Sequence, residues 1–299
     1  MTRTVQRIGW IGAGKMGFPI CKRFFAAGHT VQVLARSDQA KAILDQAGLA
    51  TRFSIGDVCK NADIVFSSIS DDAALLEVVC SSGGIAESLV AGKTYVDIST
   101  VSPAASSKAA ERLKRAGIAY LRSPVSGSTV MAESGSLTAV VSGPFPRYEE
   151  LQPVFAQFAR KCFHVGKAEE ARSMKLVLNS MVAASSALLA EALAFGAKGG
   201  LDVATMLNVV NQSVVASPLI AYKTDMMVKG DYKPAATLAM LLKDVDLFLS
   251  TGKAAHLDMP LGSLVRKIYL DAAARGLAEQ DFFVLVQDAL KRSGGSNPE

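Results

Sequence analysis

Residues 8–17 read IGWIGAGKMG. A short apolar run leads into three glycines, Gly12, Gly14 and Gly17, spaced as G-x-G-x-x-G. Each glycine answers a separate steric demand: the first permits a tight turn, the second lets backbone approach a diphosphate, and the third lets a helix pack closely on its strand. The spacing therefore predicts a strand, a turn through Gly12, Ala13, Gly14, Lys15, Met16 and Gly17, and a helix. The N-terminus of that helix receives the diphosphate, because its free N–H groups and dipole favour negative charge. Glycine-rich turns are common, so context carries the weight. The strand stands first in the chain, a plausible helix follows, and a second strand ends about twenty residues later. Together these features predict dinucleotide binding.

The second strand, TVQVLA at residues 30–35, runs into Arg36 and Ser37. A site for NAD usually places Asp or Glu there to accept from the ribose 2′-hydroxyl. A guanidinium matches a 2′-phosphate and accepts no hydrogen bond. NADP(H) is therefore favoured over NAD(H), the alternative being that Arg36 is a surface residue and Asp38 takes the ribose.

Further along, DIVFSSI (63–69), TYVDIS (94–99), AYLRSP (119–124), LTAVVSG (137–143) and CFHVG (162–166) read as strands, with amphipathic stretches between most of them. Strands separated by helix-length crossovers imply a mostly parallel sheet covered on both faces. After residue 165 this pattern ends. Helical segments follow one another, broken at KGGLD, ASP, KGDYKP, DMPLG and RGLAEQD, where Gly, Pro and Asp supply turns and caps. The expected architecture is an α/β Rossmann-type, doubly wound domain over residues 1–165 and an all-α domain over 166–293. A long central helix joins them, and 294–299 form a loose tail.

Composition sets outer bounds. The 299 residues are 50% apolar and 20% charged, enough for sizeable cores in two domains. A net charge of +5 and a pI near 9.0 suit small anionic substrates, but Lys and Arg are scattered singly, which argues against nucleic acid. Cys21, Cys59, Cys80 and Cys162 form no C-x-x-C pair and the three histidines are dispersed, so no metal site is expected and the thiols should be reduced. The segment MTRTVQR passes straight into IGWIGAG, leaving no room for a leader peptide. A cytoplasmic protein is the expectation. Asn179, Glu191 and Lys198 make the long helix after Ser173 too polar for a comfortable membrane span.

Three further places carry candidate chemistry. Thr100 and Ser102 follow the strand TYVDIS, at the carboxyl end where doubly wound sheets bind ligands; Ser102 also suits the cap of a helix opening at Pro103, leaving Thr100 for the cofactor. After Pro124, the residues Ser126, Gly127 and Ser128 offer hydroxyls and backbone donors suited to a carboxylate or carbonyl oxygen. In RSMKLVLNSMVAASSALLAEALAFGAKGG (172–200), Lys175 and Asn179 stand four apart, on one helix face. A lysine there either reaches out to water or serves as proton donor to a carbonyl under reduction. Burial can bring such an amine down to about 7 or 8, suiting it to acid–base work.

Taken together, GWIGAGKMG, VDISTVSP, SPVSGS, MKLVLN and LLKDVDL occur in the order and spacing of the β-hydroxyacid dehydrogenase family, which the chain resembles from about residue 6 to 290. The resemblance implies a carboxyl-terminal domain like that of 6-phosphogluconate dehydrogenase and an oxidoreductase acting on a small carboxylate-bearing aldehyde or hydroxyacid. It makes Lys175 the acid/base and Asn179 its substrate-side partner. It puts Ser126 and Gly127 at the substrate carboxylate, Thr100 at the nicotinamide, Ile69 and Ser70 along the cofactor, and Lys243 over the cleft. Ser128, where many members have a second glycine, and the following AESG (132–135) look more like the glyoxylate/succinic semialdehyde reductase branch, which tends to use NADPH. Glu169 and Ala171 stand where members usually have glycine, so an altered hinge and pocket rim are expected. Relatives of this kind form dimers or tetramers, and long apolar helix faces point the same way. Imine reduction on the same fold and a non-catalytic NADP-binding role are the alternatives. Retention of Lys175, and of Lys175 with Asn179, argues against them.

Overall fold

A computed structural model of the chain describes residues 5–294. Apart from Gly294, the expected tail lies outside the described residues. Two compact units are present, one ending at Lys175 and the other opening at Leu176.

The first unit runs β1 (Arg7–Ile11), α1 (Gly17–Ala26), β2 (Thr30–Leu34), α2 (Asp38–Gln46), β3 (Ala50–Arg52), α3 (Ile55–Cys59), β4 (Ile64–Ser67), α4 (Asp72–Cys80), α5 (Ile85–Ser88), β5 (Thr94–Asp97), α6 (Pro103–Arg115), β6 (Ala119–Arg122), β7 (Val125–Ser126), α7 (Thr129–Ser134), β8 (Leu137–Ser142), α8 (Phe145–Phe155) and β9 (Ala159–Gly166). Its sheet has the order β3-β2-β1-β4-β5-β6-β8-β7, with β9 on β8. From β3 to β6 every pairing is parallel. The chain winds outward from β1 to β3 and then returns to β4 beside β1, which makes the carboxyl ends of β1 and β4 the switch point where such sheets bind ligands.

Successive side chains on a strand point to opposite faces, and both faces are buried here. Ile8, Trp10, Ile64 and Phe66 enter one core with Phe24 and Phe158, whereas Ile11, Val65, Tyr95 and Tyr120 enter the other. Trp10 stacks on Phe66 with centroids 5.4 Å apart. Truncating such an aromatic to alanine costs about 3–5 kcal/mol.

Two strands escape the sequence pattern. β3 is three residues, ATR, with no apolar run to announce it. Pro124 does not end the extended path: the chain resumes as β7, antiparallel to β8, with Ser126 opposite Thr138. The Pro124 carbonyl accepts from Val140 N–H, so the ladder needs only what proline retains.

The second unit is helical. It contains most of α9 (Glu170–Lys198), then α10 (Val203–Gln212), α11 (Pro218–Lys229), α12 (Leu238–Ala254), α13 (Pro260–Ala272), a π-turn at Ala273–Leu277, and α14 (Val284–Arg292). The breaks fall at the expected Gly and Pro positions; Pro opens α11 and α13, and Gly230 ends α11 in the left-handed conformation. Leu193, Leu207, Leu238, Tyr269 and Phe283 share one core. Within it Lys223 and Asp281 form an almost fully buried ion pair at 2.5 Å.

By length and composition α9 is apolar enough to cross a membrane, more so than its polar residues suggest in the sequence. One face, with Ala183, Ala187, Leu189, Ala190 and Leu193, packs into the helical core. Met181, Leu188 and Phe195 remain exposed.

Candidate active site

The β1–α1 turn shows why three glycines are needed. Gly12 has φ +85°, and a Cβ there would lie 2.1 Å from the Ser68 carbonyl oxygen in the loop after β4. At Gly17 a Cβ would fall 2.5 Å from the Gly12 oxygen and 2.7 Å from Trp10 Nε1. Gly14 differs, because a Cβ there meets nothing within 4 Å. The bare backbone of Gly14 thus borders open space at the start of α1, whose cap residue Met16 contributes no side-chain hydrogen bond. Donors and space there fit a diphosphate. Ala13 and Met16 pack partly against the core, and Lys15 is exposed.

At the end of β2, Arg36 is exposed and makes no hydrogen bond or ion pair among the described residues. Ser37 caps α2 by accepting from Ala40 N–H at 3.2 Å. Its hydroxyl hydrogen stays free to donate. Asp38 sits in the first turn of α2. Arg52, unmarked by any sequence pattern, pairs with Leu34 at the carboxyl end of the adjacent β3, so a second guanidinium belongs to this end of the sheet. Only the strand register exposes it.

The loops after β4 and β5 are joined. Ile69 N–H donates to Ser99 Oγ at 2.8 Å, and Ser99 Oγ donates to the buried Asp97. Ile69 and Thr100 are half-buried, and Ser70 is exposed, donating to Asp71, the cap of α4. Ser102 caps α6 and donates to Asp72 at 2.6 Å.

Ser126 stands in β7 rather than in an open loop, half-buried. Gly127 has φ +134°, and a Cβ there would approach Leu137 and Met131 to 2.7 and 2.8 Å. Only glycine turns this corner without strain. Ser128 caps the short α7.

Before α9, the residues at the expected glycine positions are used rather than free. Glu169 binds Arg122 at the end of β6 through Oε1. Buried Ala171 donates its N–H to Ser142 Oγ at 3.2 Å. Arg172 is fully buried against Asp97. None of these partners was apparent in the sequence. Lys175 and Asn179 are both half-buried and one turn apart on α9. Asn179 Nδ2 donates to Asp244 Oδ2 at 2.6 Å, and Lys243 Nζ lies 3.1 Å from Asp244 Oδ1, an ion pair without hydrogen-bond alignment. Asp244, itself overlooked in the sequence, thus joins two predicted site residues in the helical unit. Among the described residues there is no cluster of three His, Cys, Asp or Glu side chains able to hold a metal.

A doubly wound sheet with an open glycine turn at its switch point, followed by a helical unit, defines a dinucleotide-binding protein. Comparison with known proteins agrees. Residues 7–166 match the NAD binding domain of 6-phosphogluconate dehydrogenase, and residues 170–288 match the NAD-binding family of NADP-dependent 3-hydroxyisobutyrate dehydrogenase. The chain is 31% identical to glyoxylate/succinic semialdehyde reductase 2, chloroplastic, of Arabidopsis thaliana, over 95% of this chain and 79% of that protein. It is 30% identical to 2-(hydroxymethyl)glutarate dehydrogenase of Eubacterium barkeri, over 94% of each. The solved Mycobacterium tuberculosis 3-hydroxyisobutyrate dehydrogenase with L-serine shares the fold at TM-score 0.87 and 24% identity, covering 95% of this chain and 99% of that one. The chain belongs to the β-hydroxyacid dehydrogenase family of NAD(P)-dependent oxidoreductases.

Proposed function

We propose that the protein is an NADPH-dependent reductase of small aldehydes or keto acids bearing a carboxylate, with glyoxylate and succinic semialdehyde as the first candidates and 3-hydroxyisobutyrate as a substrate for the reverse direction. The observation that carries this reading is the pairing of Lys175 with Asn179 one turn apart on α9. The similarity to the Arabidopsis reductase supports the substrate class. Exposed Arg36, with Ser37 beside it, supports NADPH over NADH, since a guanidinium and a hydroxyl both donate to a 2′-phosphate.

The nicotinamide, when bound, supplies the hydride. The residues of the chain do the rest. The Ser126 hydroxyl and Gly127 N–H hold the substrate carboxylate. Lys175 stabilises the negative charge developing on the carbonyl oxygen and gives it a proton, and the resulting neutral amine is reprotonated from solvent. Asn179 has committed its Nδ2 to Asp244, which leaves Oδ1 to accept from the substrate hydroxyl. Thr100, Ile69 and Ser70 would hold the nicotinamide side of a bound cofactor, and Lys243 would serve as a further cofactor contact.

NADPH oxidation followed at 340 nm with a panel of acid aldehydes, repeated with NADH, tests this directly. Turnover confined to NADPH and carboxylate-bearing carbonyls, lowered by about a hundredfold or more in Lys175→Ala, is the expected result. Unchanged turnover by that variant would remove the assignment of chemistry.

The working form in this reading is a homodimer or homotetramer. Met174, Met181, Leu188 and Phe195 recur every seven residues along α9 and are all exposed, a seam suited to a second copy of the same helix. Light scattering on the wild type and Leu188→Glu tests it. The four unpaired thiols support a reducing compartment such as the cytoplasm.

A further inference from the structure

Arg172 is fully buried, three residues before Lys175 on α9, and its guanidinium reaches four groups. Nη1 donates to the Ser99 carbonyl oxygen at 2.7 Å, Nη2 to Asp97 and to the Tyr120 hydroxyl at 2.8 Å, and Nε to Ser106 Oγ at 3.2 Å. Asp97 also accepts from Ser67 and Ser99, and Ser99 Oγ accepts from Ile69 N–H. One buried side chain therefore ties the first turns of α9 to the ends of β4 and β5, to α6, and to both loops assigned to the nicotinamide side. Replacing a buried ion pair by apolar residues of similar volume is often neutral or stabilising in proteins. What the planar fork adds is direction: it holds α9 at one rotation about its axis.

We propose that Arg172 is a positioning residue that aims Lys175 at the reacting carbonyl. The proposal rests on the reading of Lys175 as proton donor. Residues three apart on a helix lie about 60° apart around the axis and about 4.5 Å along it, so a rotation that releases Arg172 carries Lys175 with it. A lysine ammonium stands roughly 8 Å from the helix axis, and a turn of about 10° displaces it by about 1.4 Å. Misplacement by about 1 Å costs on the order of a hundredfold in rate. The Arg122–Glu169 pair holds the residue before α9 to the end of β6. It limits how far the helix start can shift when the buried fork is lost.

Arg172→Lys is the decisive variant, because it keeps a charge opposite Asp97 but loses the fork that spans Ser99, Tyr120 and Ser106. Measurements on the full-length protein comprise NADPH binding by fluorescence, kcat and KM for the acid aldehyde the wild type reduces fastest, and the isotope effect with NADPH deuterated at the transferred position. The expected variant binds one NADPH per chain with Kd within threefold of wild type, loses about 30-fold in kcat, and shows a larger isotope effect as the chemical step becomes limiting. A purely structural role lowers the melting temperature and leaves kcat per bound NADPH and the isotope effect unchanged; that result overturns the proposal. If the lysine variant does not fold, Tyr120→Phe carries the test, removing one acceptor of the fork while keeping the ring. A threefold or larger fall in kcat with a raised isotope effect supports the proposal, and wild-type values overturn it. Full turnover by Lys175→Ala is a separate outcome, which overturns the underlying reading and the proposal with it.

Discussion

Asn179 and Asp244 are 65 residues apart in sequence and share a hydrogen bond of 2.6 Å in the helical unit. The carboxylate accepts from the Asn179 amide nitrogen through Oδ2 and pairs with Lys243 through Oδ1. Replacing Asp244 by alanine removes both of these contacts. The expected outcome is a rise of about tenfold in KM for the acid aldehyde and a smaller rise in the Kd of NADPH, with a folded protein by circular dichroism. Unaltered steady-state constants would mean that neither Asn179 nor Lys243 meets a ligand.

Lys175→Ala tests the proposed role of Lys175 as proton donor. General acid catalysis contributes about 10²–10⁴-fold, so kcat should fall within that range while NADPH binding persists, because no diphosphate contact is lost. Lys175→Arg should not recover the rate, since a guanidinium keeps its proton.

The glycine turn separates fold from ligand. Gly14→Ala points its methyl into open space, so the melting temperature should stay within about 2 °C of wild type while NADPH affinity drops at least tenfold. Gly12→Ala and Gly17→Ala push a methyl into backbone at 2.1 and 2.5 Å, and both should destabilise the protein before any ligand is added. Thermal melts with and without NADPH distinguish the two behaviours.

Arg36→Ala should weaken NADPH and spare NADH. Hydrogen bonds to charged groups contribute about 1.5–3 kcal/mol, which predicts a rise of about 10- to 150-fold in KM for NADPH. Equal losses for both cofactors would point instead to damage at the diphosphate turn.

Alkali should unfold the protein through its buried and half-buried acids. Burial pushes the Cys59 thiol up to about 12, the Cys162 thiol up to about 11 and the Tyr232 hydroxyl up to about 12. Each native group holds its proton more tightly than its unfolded counterpart. The stability they contribute is therefore complete below about pH 8.5 for the thiols and about pH 10 for the tyrosine, and is lost as pH rises through the native values. Urea midpoints should be flat from pH 7 to 8 and fall steadily from pH 9 to 11. By the same argument Cys59 and Cys162 should resist iodoacetamide at neutral pH, because the thiolate is the nucleophile.

Local order was legible wherever it repeats over a few residues. Alternating strands and crossover helices in residues 1–165, the Gly12, Gly14 and Gly17 spacing, and the one-turn separation of Lys175 from Asn179 all follow from nearest-neighbour periodicity and sterics, which a sequence displays directly. Partners were a different matter. Arg172 meets Asp97 across 75 residues, Arg122 meets Glu169 across 47, and Ser126 enters a strand opposite Thr138 only because β8 folds back beside β6. A charge in a sequence carries no mark of its partner, since long-range pairing depends on which strand ends and helix starts the topology brings together. Only the tertiary structure decided that Glu169, half-buried at an expected glycine position, and fully buried Arg172 close by are tied to the sheet, because only the folded chain brings Arg122 and Asp97 to meet them.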